Sequence, residues 1–467
     1  MARFRTRRVP LIDGASEVPR SHRRVAGFLR RFPARAAVLV FCAGALVFTG
    51  LLSLPIASAD GRAKPLHDAM FTAVSAMTVT GLTTVDTATA WSGFGQVVIL
   101  LAIQVGGLGI VTLALLLARA VTRQLGLGGK LFAQQSIGTS ELGEVGRLLR
   151  IVVGTTLAIE AVLLLILAPA FIVAEGSWWT GLWHGLFYAV SAFNNAGFSV
   201  HEGGLTPFDG NLWVLTPIML GVFVGSFGFP VFLNLITARW SRRRWSLHTK
   251  LTLITTTILL VTGALGWAVF EWSNTDTIGG MSIPEKLFHA LFASTMTRSG
   301  GFSVVDPSDS TSTTLLLSDA LMFVGGGSAS TAGGIKVTTL AVLFLAILAE
   351  GRGTKDVTTL ERTIPNGIFR VAISVTFLGA TLVLVATTLL TLVSDAPLDR
   401  ILFEVISAFA TCGLSVGLSA ELEPFGKYVL SALMLAGRIG PIGLAAALSV
   451  RQRNVMFTLP RERTIIG

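Results

Sequence analysis

Four stretches of this 467-residue chain place glycine and hydroxyl residues at matched positions inside apolar sequence. They read MFTAVSAMTVTGLTT (70–84), LFYAVSAFNNAGFSV (186–200), ALFASTMTRSGGFSV (290–304) and LFEVISAFATCGLSV (402–416). Aligned on Gly81, Gly197, Gly301 and Gly413, each glycine is followed by Leu82, Phe198, Phe302 or Leu414 and then by Thr83, Ser199, Ser303 or Ser415. Six residues before each stands another hydroxyl (Ser75, Ser191, Thr295, Ser407), and ten before it Phe71, Phe187, Leu291 or Phe403. The residues leading into the glycines are Val79 and Thr80, Asn195 and Ala196, Ser299 and Gly300, and Thr411 and Cys412. Glycine adopts positive φ without a Cβ penalty, so such a strand can turn successive carbonyls toward one axis. Four of them around that axis make rings of oxygen able to replace the hydration shell of a monovalent cation. In the third stretch the register favours Gly301, with the adjacent Gly300 left open.

A second constellation lies in LLLSDALMFVGGGSASTAGGIKVTTLAVLFLAIL, where Gly325, Gly326, Gly327, Ser328, Ser330, Thr331, Gly333 and Gly334 occupy the middle of an apolar segment. Each glycine costs roughly 1 kcal/mol against alanine in a helix, so this segment is expected to be broken. A break at mid-membrane is a common place for ion sites and moving parts; close glycine packing is the alternative. Lys336 ends the loop. Arg438, in MLAGRIGPIGLAAAL, lies 11 residues from Lys427 and 13 from Arg451, roughly 16–20 Å from either at 1.5 Å per residue. Snorkelling does not cover that distance, and an intramembrane arginine is by default a functional hypothesis. A barrier role and a structural role both stay open for it. Glu160 stands inside another apolar segment as a candidate partner for a buried base.

The elements that must position these residues follow from composition. With 52% hydrophobic and 13% charged residues, against roughly 25% charged in a soluble domain, the chain reads as an all-α membrane protein. Eight apolar segments (36–55, 93–118, 151–173, 213–238, 251–272, 315–349, 368–393 and 428–450) can span a bilayer, and the four glycine stretches are too short to do so. Non-helical backbone at membrane depth must line a water-filled path or be buried in protein. The run before each glycine therefore predicts a short re-entrant helix whose negative C-terminal end faces the axis. The glycines are spaced by 116, 104 and 112 residues, which makes the architecture a fourfold repeat of helix, re-entrant hairpin and helix around a central pore. Close packing through small residues explains one such hairpin but not four in register.

Of the 36 lysines and arginines, 28 fall in 1–35, 119–150, 239–250, 350–370 and 451–463. That is the positive-inside pattern of a multi-pass protein with both termini cytoplasmic, not the single patch of a nucleic-acid binder. The expected division is a basic tail (1–35), repeat 1 (36–118), a linker (119–150), repeat 2 (151–238), a basic loop (239–250), repeat 3 (251–349) with its intramembrane loop at 325–336, a loop (350–367), repeat 4 (368–451) and a tail (452–467). The tail lacks a convincing signal cleavage site and reads as retained. Opposite the basic loops an acidic bias would concentrate cations. Cys42 and Cys412 make no framework. His67, His184 and His289 stand at unequal offsets from the glycines and read as interfacial histidines without metal.

Taken together, the four hairpins, the broken segment and the buried arginine resemble the Trk/Ktr/HKT superfamily of potassium transporters over about residues 36–451. The resemblance is strongest to KtrB-type membrane subunits, since the two extra N-terminal spans of the TrkH branch are not seen. It implies a potassium-selective transporter in the plasma membrane, with a filter at the backbone carbonyls near the four glycines. Below the filter it implies an occluding loop at 325–336, flanked by Lys336 and Arg438. Potassium is then the transported ion, with no covalently bound cofactor. The resemblance further implies a homodimer in membrane lipid carrying a cytoplasmic ring of KtrA-like RCK proteins, on which any nucleotide is bound. In the family a serine at the first filter position goes with sodium preference, so Gly81 favours potassium over a sodium-conducting relative. A polytopic membrane enzyme should carry more buried acids and histidines than Glu160, Lys336 and Arg438. A carrier with inverted repeats does not fit units that all run in one direction.

Overall fold

A computed structural model describes residues 33–124, 144–238, 241–354 and 356–440. Most of the two tails, the middle of the 119–150 linker and the end of the 428–450 segment lie outside the described residues. Fourteen principal helices carry the architecture: α1 (Pro33–Leu52), α2 (Leu66–Met77), α3 (Gly93–Gln124), α4 (Glu144–Glu175), α5 (Trp178–Phe193), α6 (Leu212–Gly225), α7 (Phe229–Thr237), α8 (Leu247–Glu271), α9 (Ile283–Met296), α10 (Ser312–Phe323), α11 (Val337–Gly351), α12 (Asn366–Thr391), α13 (Leu398–Ala410) and α14 (Pro424–Ile439). Between α11 and α12 the chain forms a small hairpin pairing Thr358 with Thr363.

The layering is that of a protein in lipid. Long helices α4, α8 and α12 are apolar enough to cross a membrane, with mean hydropathies of 2.6, 1.9 and 2.2, yet only 33%, 22% and 17% of their most apolar windows is buried. Leu165, Val269 and Phe377 accordingly face outward. The four short helices α2, α5, α9 and α13 are the interior instead: Phe71, Phe187 and Phe403 are buried, together with Ser75, Ser191, Thr295 and Ser407. Hydroxyl residues are gathered inside among the aromatics, as expected where water gives no hydrophobic drive between helices and polar groups must find partners within the bundle. Helix starts match local chemistry, as in the Ser282 and Glu285 capping box at α9.

Two segments depart from regular helix. The expected break in the 315–349 segment is present: α10 ends at Phe323, α11 begins at Val337, and Val324 and Ile335 form a parallel bridge across the loop mouth. The 213–238 segment, expected as one continuous span, is instead bent by 89° between α6 and α7. Gly228 takes φ +90° there and Pro230 occupies the first turn of α7, where a proline's missing N–H is harmless. The two breaks face each other: Gly327 N donates to Ser226 O at 2.8 Å and Phe229 N to Ala329 O at 3.3 Å.

Candidate functional site

The C-terminal ends of α2, α5, α9 and α13 converge, and their loops share one backbone pattern. Each glycine has positive φ (Gly81 +95°, Gly197 +69°, Gly301 +73°, Gly413 +94°), and so does the residue two before it (Val79 +54°, Asn195 +59°, Ser299 +71°, Thr411 +46°). In an extended strand successive residues alternate direction; reversing φ at every second residue brings neighbouring carbonyls to one side. Positive φ at a β-branched residue such as Val79 or Thr411 is strained, and strain of this kind persists only where its surroundings over-determine it.

The ring closes on itself. A Cβ on Gly81 would strike the carbonyl oxygen of Ala196, one on Gly301 that of Cys412 and one on Gly413 that of Thr80, while one on Gly197 would strike Gly301 Cα and crowd the carbonyl oxygen of Gly300 at 3.3 Å. Every hairpin thus abuts the next through glycine and the carbonyl just before the neighbouring glycine, and the fourth returns to the first. The ring position in the third hairpin belongs to Gly301, while Gly300 supplies the carbonyl.

The hydroxyls of the motif support this ring from behind. Ser75 Oγ accepts from Gly81 N and Ser407 Oγ from Gly413 N, each at 3.1 Å. Ser191 Oγ donates instead to Phe198 O at 3.0 Å, and Thr295 Oγ1 turns back to Leu291 O at 2.8 Å. Beyond the ring, Ser199 meets the Tyr188 hydroxyl and Ser415 donates to Glu404 at 2.8 Å.

The loop between α10 and α11 lies against the inner edge of this ring. Thr331 Oγ1 bonds Asn195 Oδ1 and Gly225 O at 3.0 Å, and Gly333 N donates to Ser299 Oγ at 3.2 Å, which in turn donates to Thr411 O at 2.7 Å. Two of the four strained entry residues, Asn195 and Ser299, therefore bond the loop, and a third, Thr411, backs Ser299. Ser330 Oγ closes the turn on Gly327 O at 2.7 Å, and Ser328 Oγ meets Thr338 Oγ1 at 3.1 Å. Gly325, Gly326, Gly327 and Gly333 pack where a Cβ would collide with backbone, and Gly334 has φ +66°.

Two cations anchor the loop. Lys336 Nζ donates to Ala332 O at 2.6 Å, and Arg438 Nη1 donates to Thr331 O and, at 3.3 Å, to Thr411 Oγ1. Arg438 is buried, and its Nε and Nη2 have no hydrogen-bond partner among the described residues. No carboxylate pairs with Lys336 or Arg438 among the described residues, so net positive charge sits beneath the carbonyl ring.

Among the described residues Glu160 meets no base. It accepts from Asn194 Nδ2 at 2.9 Å and Gln104 Nε2 at 3.0 Å, bracing the second hairpin one residue before Asn195. The buried ionisable set is also larger than the apolar spans suggest. Asp68, Arg298, Asp319, Glu404 and Lys427 are buried too; Asp68 and Glu404 sit in short hairpin helices and Arg298 in the loop after one, which span-centred reading passes over. Arg298 Nη1 donates to Thr256 O at 2.8 Å, Glu404 gathers Ser415, Val416 and Ser419, and Lys427 pairs with Asp68 at 2.8 Å, joining the fourth hairpin unit to the first.

A fourfold ring of carbonyl-bearing loops inside a lipid-facing helical wall defines a membrane transporter, and the chain belongs to the TrkH cation transport protein family, whose model matches residues 17–456. It is a multi-pass membrane protein and not an enzyme. It is 36% identical to Ktr system potassium uptake protein B of Bacillus subtilis over 93% of this chain and 97% of that one. It is 30% identical to the potassium/sodium uptake protein NtpJ of Enterococcus hirae over 90% of this chain and 94% of that one. The fold resembles the potassium transporter TrkH from Vibrio parahaemolyticus, with a TM-score of 0.69 at 19% identity, covering 91% of this chain and 85% of the other.

Proposed function

We propose that this protein is the potassium-selective, ion-translocating subunit of a Ktr-type uptake system. The observation that carries this reading is the closed glycine ring, in which the carbonyls of Thr80, Ala196, Gly300 and Cys412 each lie against the glycine of a neighbouring hairpin. Such a ring suits a monovalent cation stripped of water. The four hairpin units act as pore repeats within eight spans, and the basic loops put the termini and the loop side of the ring in the cytoplasm.

Beneath this filter the 325–336 loop acts as the gate. Its glycines oppose regular helix, it is held to the ring by polar contacts, and Arg438 with Lys336 adds positive charge on the path. An ion passes once the loop withdraws from Asn195, Ser299 and Thr411. Regulation in this reading comes from a cytoplasmic RCK ring acting on a homodimer, a role supported by the likeness to Ktr system potassium uptake proteins.

A second reading, a sodium-conducting relative, is favoured by the likeness to the potassium/sodium uptake protein NtpJ. Ion-selective flux into liposomes holding the purified chain separates the two. Potassium uptake well above sodium supports the first; equal fluxes support the second, and no cation flux with or without a ring partner overturns both.

A further inference from the structure

A second cluster lies away from the pore axis, where α4 and α5 meet. Gly176, with φ +68°, turns the chain between them. Gly181 and Gly185 then press α5 onto the backbone of Ile172 and Ala168, so close that a Cβ on either would collide. This G-x-x-x-G approach brings His184 to Glu175. The loop after Gly197 folds back to add His201.

One carboxylate oxygen, Glu175 Oε1, stands 2.7 Å from His184 Nδ1 and 3.2 Å from His201 Nε2, and the three donor atoms lie within 4.8 Å of one another. The side chains retain 17%, 18% and 16% exposure, which leaves an approach for an ion and a water. Phe171 stacks on the His201 ring at 5.6 Å and Phe208 meets it edge-on at 4.7 Å. The other nitrogen of His201, Nδ1, is held by the Tyr188 hydroxyl at 2.9 Å. That is the arrangement in which a ligating histidine is oriented through its remote nitrogen.

We propose that Glu175, His184 and His201 form a binding site for a zinc-class transition-metal dication, with water in the fourth position. Two imidazoles and a carboxylate suit zinc geometry, whereas calcium and magnesium take all-oxygen shells. Tyr188 also bonds Ser199, two residues past Gly197, so the site is tied to the second hairpin of the ring. Its consequence for transport rests on the function proposed above: a bound dication on that side slows cation entry.

The test is Zn2+ binding by calorimetry, and Co2+ absorption, on the purified full-length chain with any affinity tag removed. Wild type should bind Zn2+ at a single site and give a tetrahedral Co2+ spectrum. His184→Gln and Glu175→Gln should abolish both, and Tyr188→Phe should weaken binding about tenfold or more through the remote nitrogen. His289→Gln, whose imidazole pairs with Asp209 elsewhere, should bind as wild type does. Wild type without saturable Zn2+ binding, or folded His184→Gln binding unchanged, would overturn the site and leave a carboxylate-bridged histidine pair. These readouts do not depend on transport. In flux assays Zn2+ should slow wild type and spare His184→Gln; absence of cation flux from every sample would count against the transport reading and not against the site.

Discussion

The Nη1 of Arg438 donates to the carbonyl of Thr331, joining the end of α14 to the middle of the loop beneath the glycine ring across 107 residues of sequence. The same nitrogen reaches Thr411 Oγ1, so one guanidinium holds both the loop and a strained ring-entry residue.

Removing that link should loosen the loop. A hydrogen bond from a charged group contributes about 1.5–3 kcal/mol, so Arg438→Ala should raise basal potassium flux about tenfold or more and lessen its dependence on a cytoplasmic partner. Deleting Ser328 to Ala332 should act in the same direction. Flux is to be measured beside thermal stability: a well-folded deletion protein with flux at or below wild type would mean that the loop is not the barrier.

Selectivity should follow the ring. At Gly81, φ is +95° and a Cβ would strike Ala196 O, so Gly81→Ser displaces a carbonyl and should lower the potassium-to-sodium flux ratio about tenfold, equivalent to roughly 1.4 kcal/mol. The third hairpin offers an internal comparison: Gly301→Ala should impair selectivity more than Gly300→Ala, because Gly300 lacks positive φ and its added methyl meets mainly the side chains of Met296 and Val222. Equal effects would place the ring register wrongly.

Orientation can be read chemically. Ser310 lies in the loop before α10, at the hairpin-loop end, and Ser241 in the basic stretch before α8. With arginine-rich loops held inside, an impermeant thiol reagent should label Ser310→Cys from outside and Ser241→Cys only from inside. Labelling of both from one side would rule out the eight-span arrangement.

Stability should expose the closure of the ring of repeats. Lys427 and Asp68 are each 9% exposed and pair at 2.8 Å. Breaking a buried pair from one side costs roughly 3–5 kcal/mol, whereas replacing both partners by apolar residues is often neutral. Lys427→Met should therefore unfold in detergent at markedly lower temperature, and Lys427→Met with Asp68→Leu should recover most of the loss. A single variant as stable as wild type would show that this pair does not hold the first and fourth units together.

What was legible in the chain was what repeats or interrupts. The four glycines, the residues leading into them and the glycine-rich break between Phe323 and Val337 are visible because backbone needs are local: positive φ and helix breaking are written as glycine. Arg438 was legible by its distance from any aqueous end. The bend at Gly228 and Pro230 was equally local, but apolar residues on both sides disguised it as one span. Other facts depended on partners far apart in sequence. Glu160 finds Asn194 and Gln104 rather than a base, because burial is satisfied by whichever donor the packing presents. Gly301 takes the ring position over Gly300 because Cys412 and Gly197 press on it from neighbouring hairpins. His184 and His201 meet Glu175 only after Gly181 and Gly185 let two helices touch. Spacing along a chain determines backbone conformation within a few residues; which polar groups share one buried volume is decided when the helices close around it.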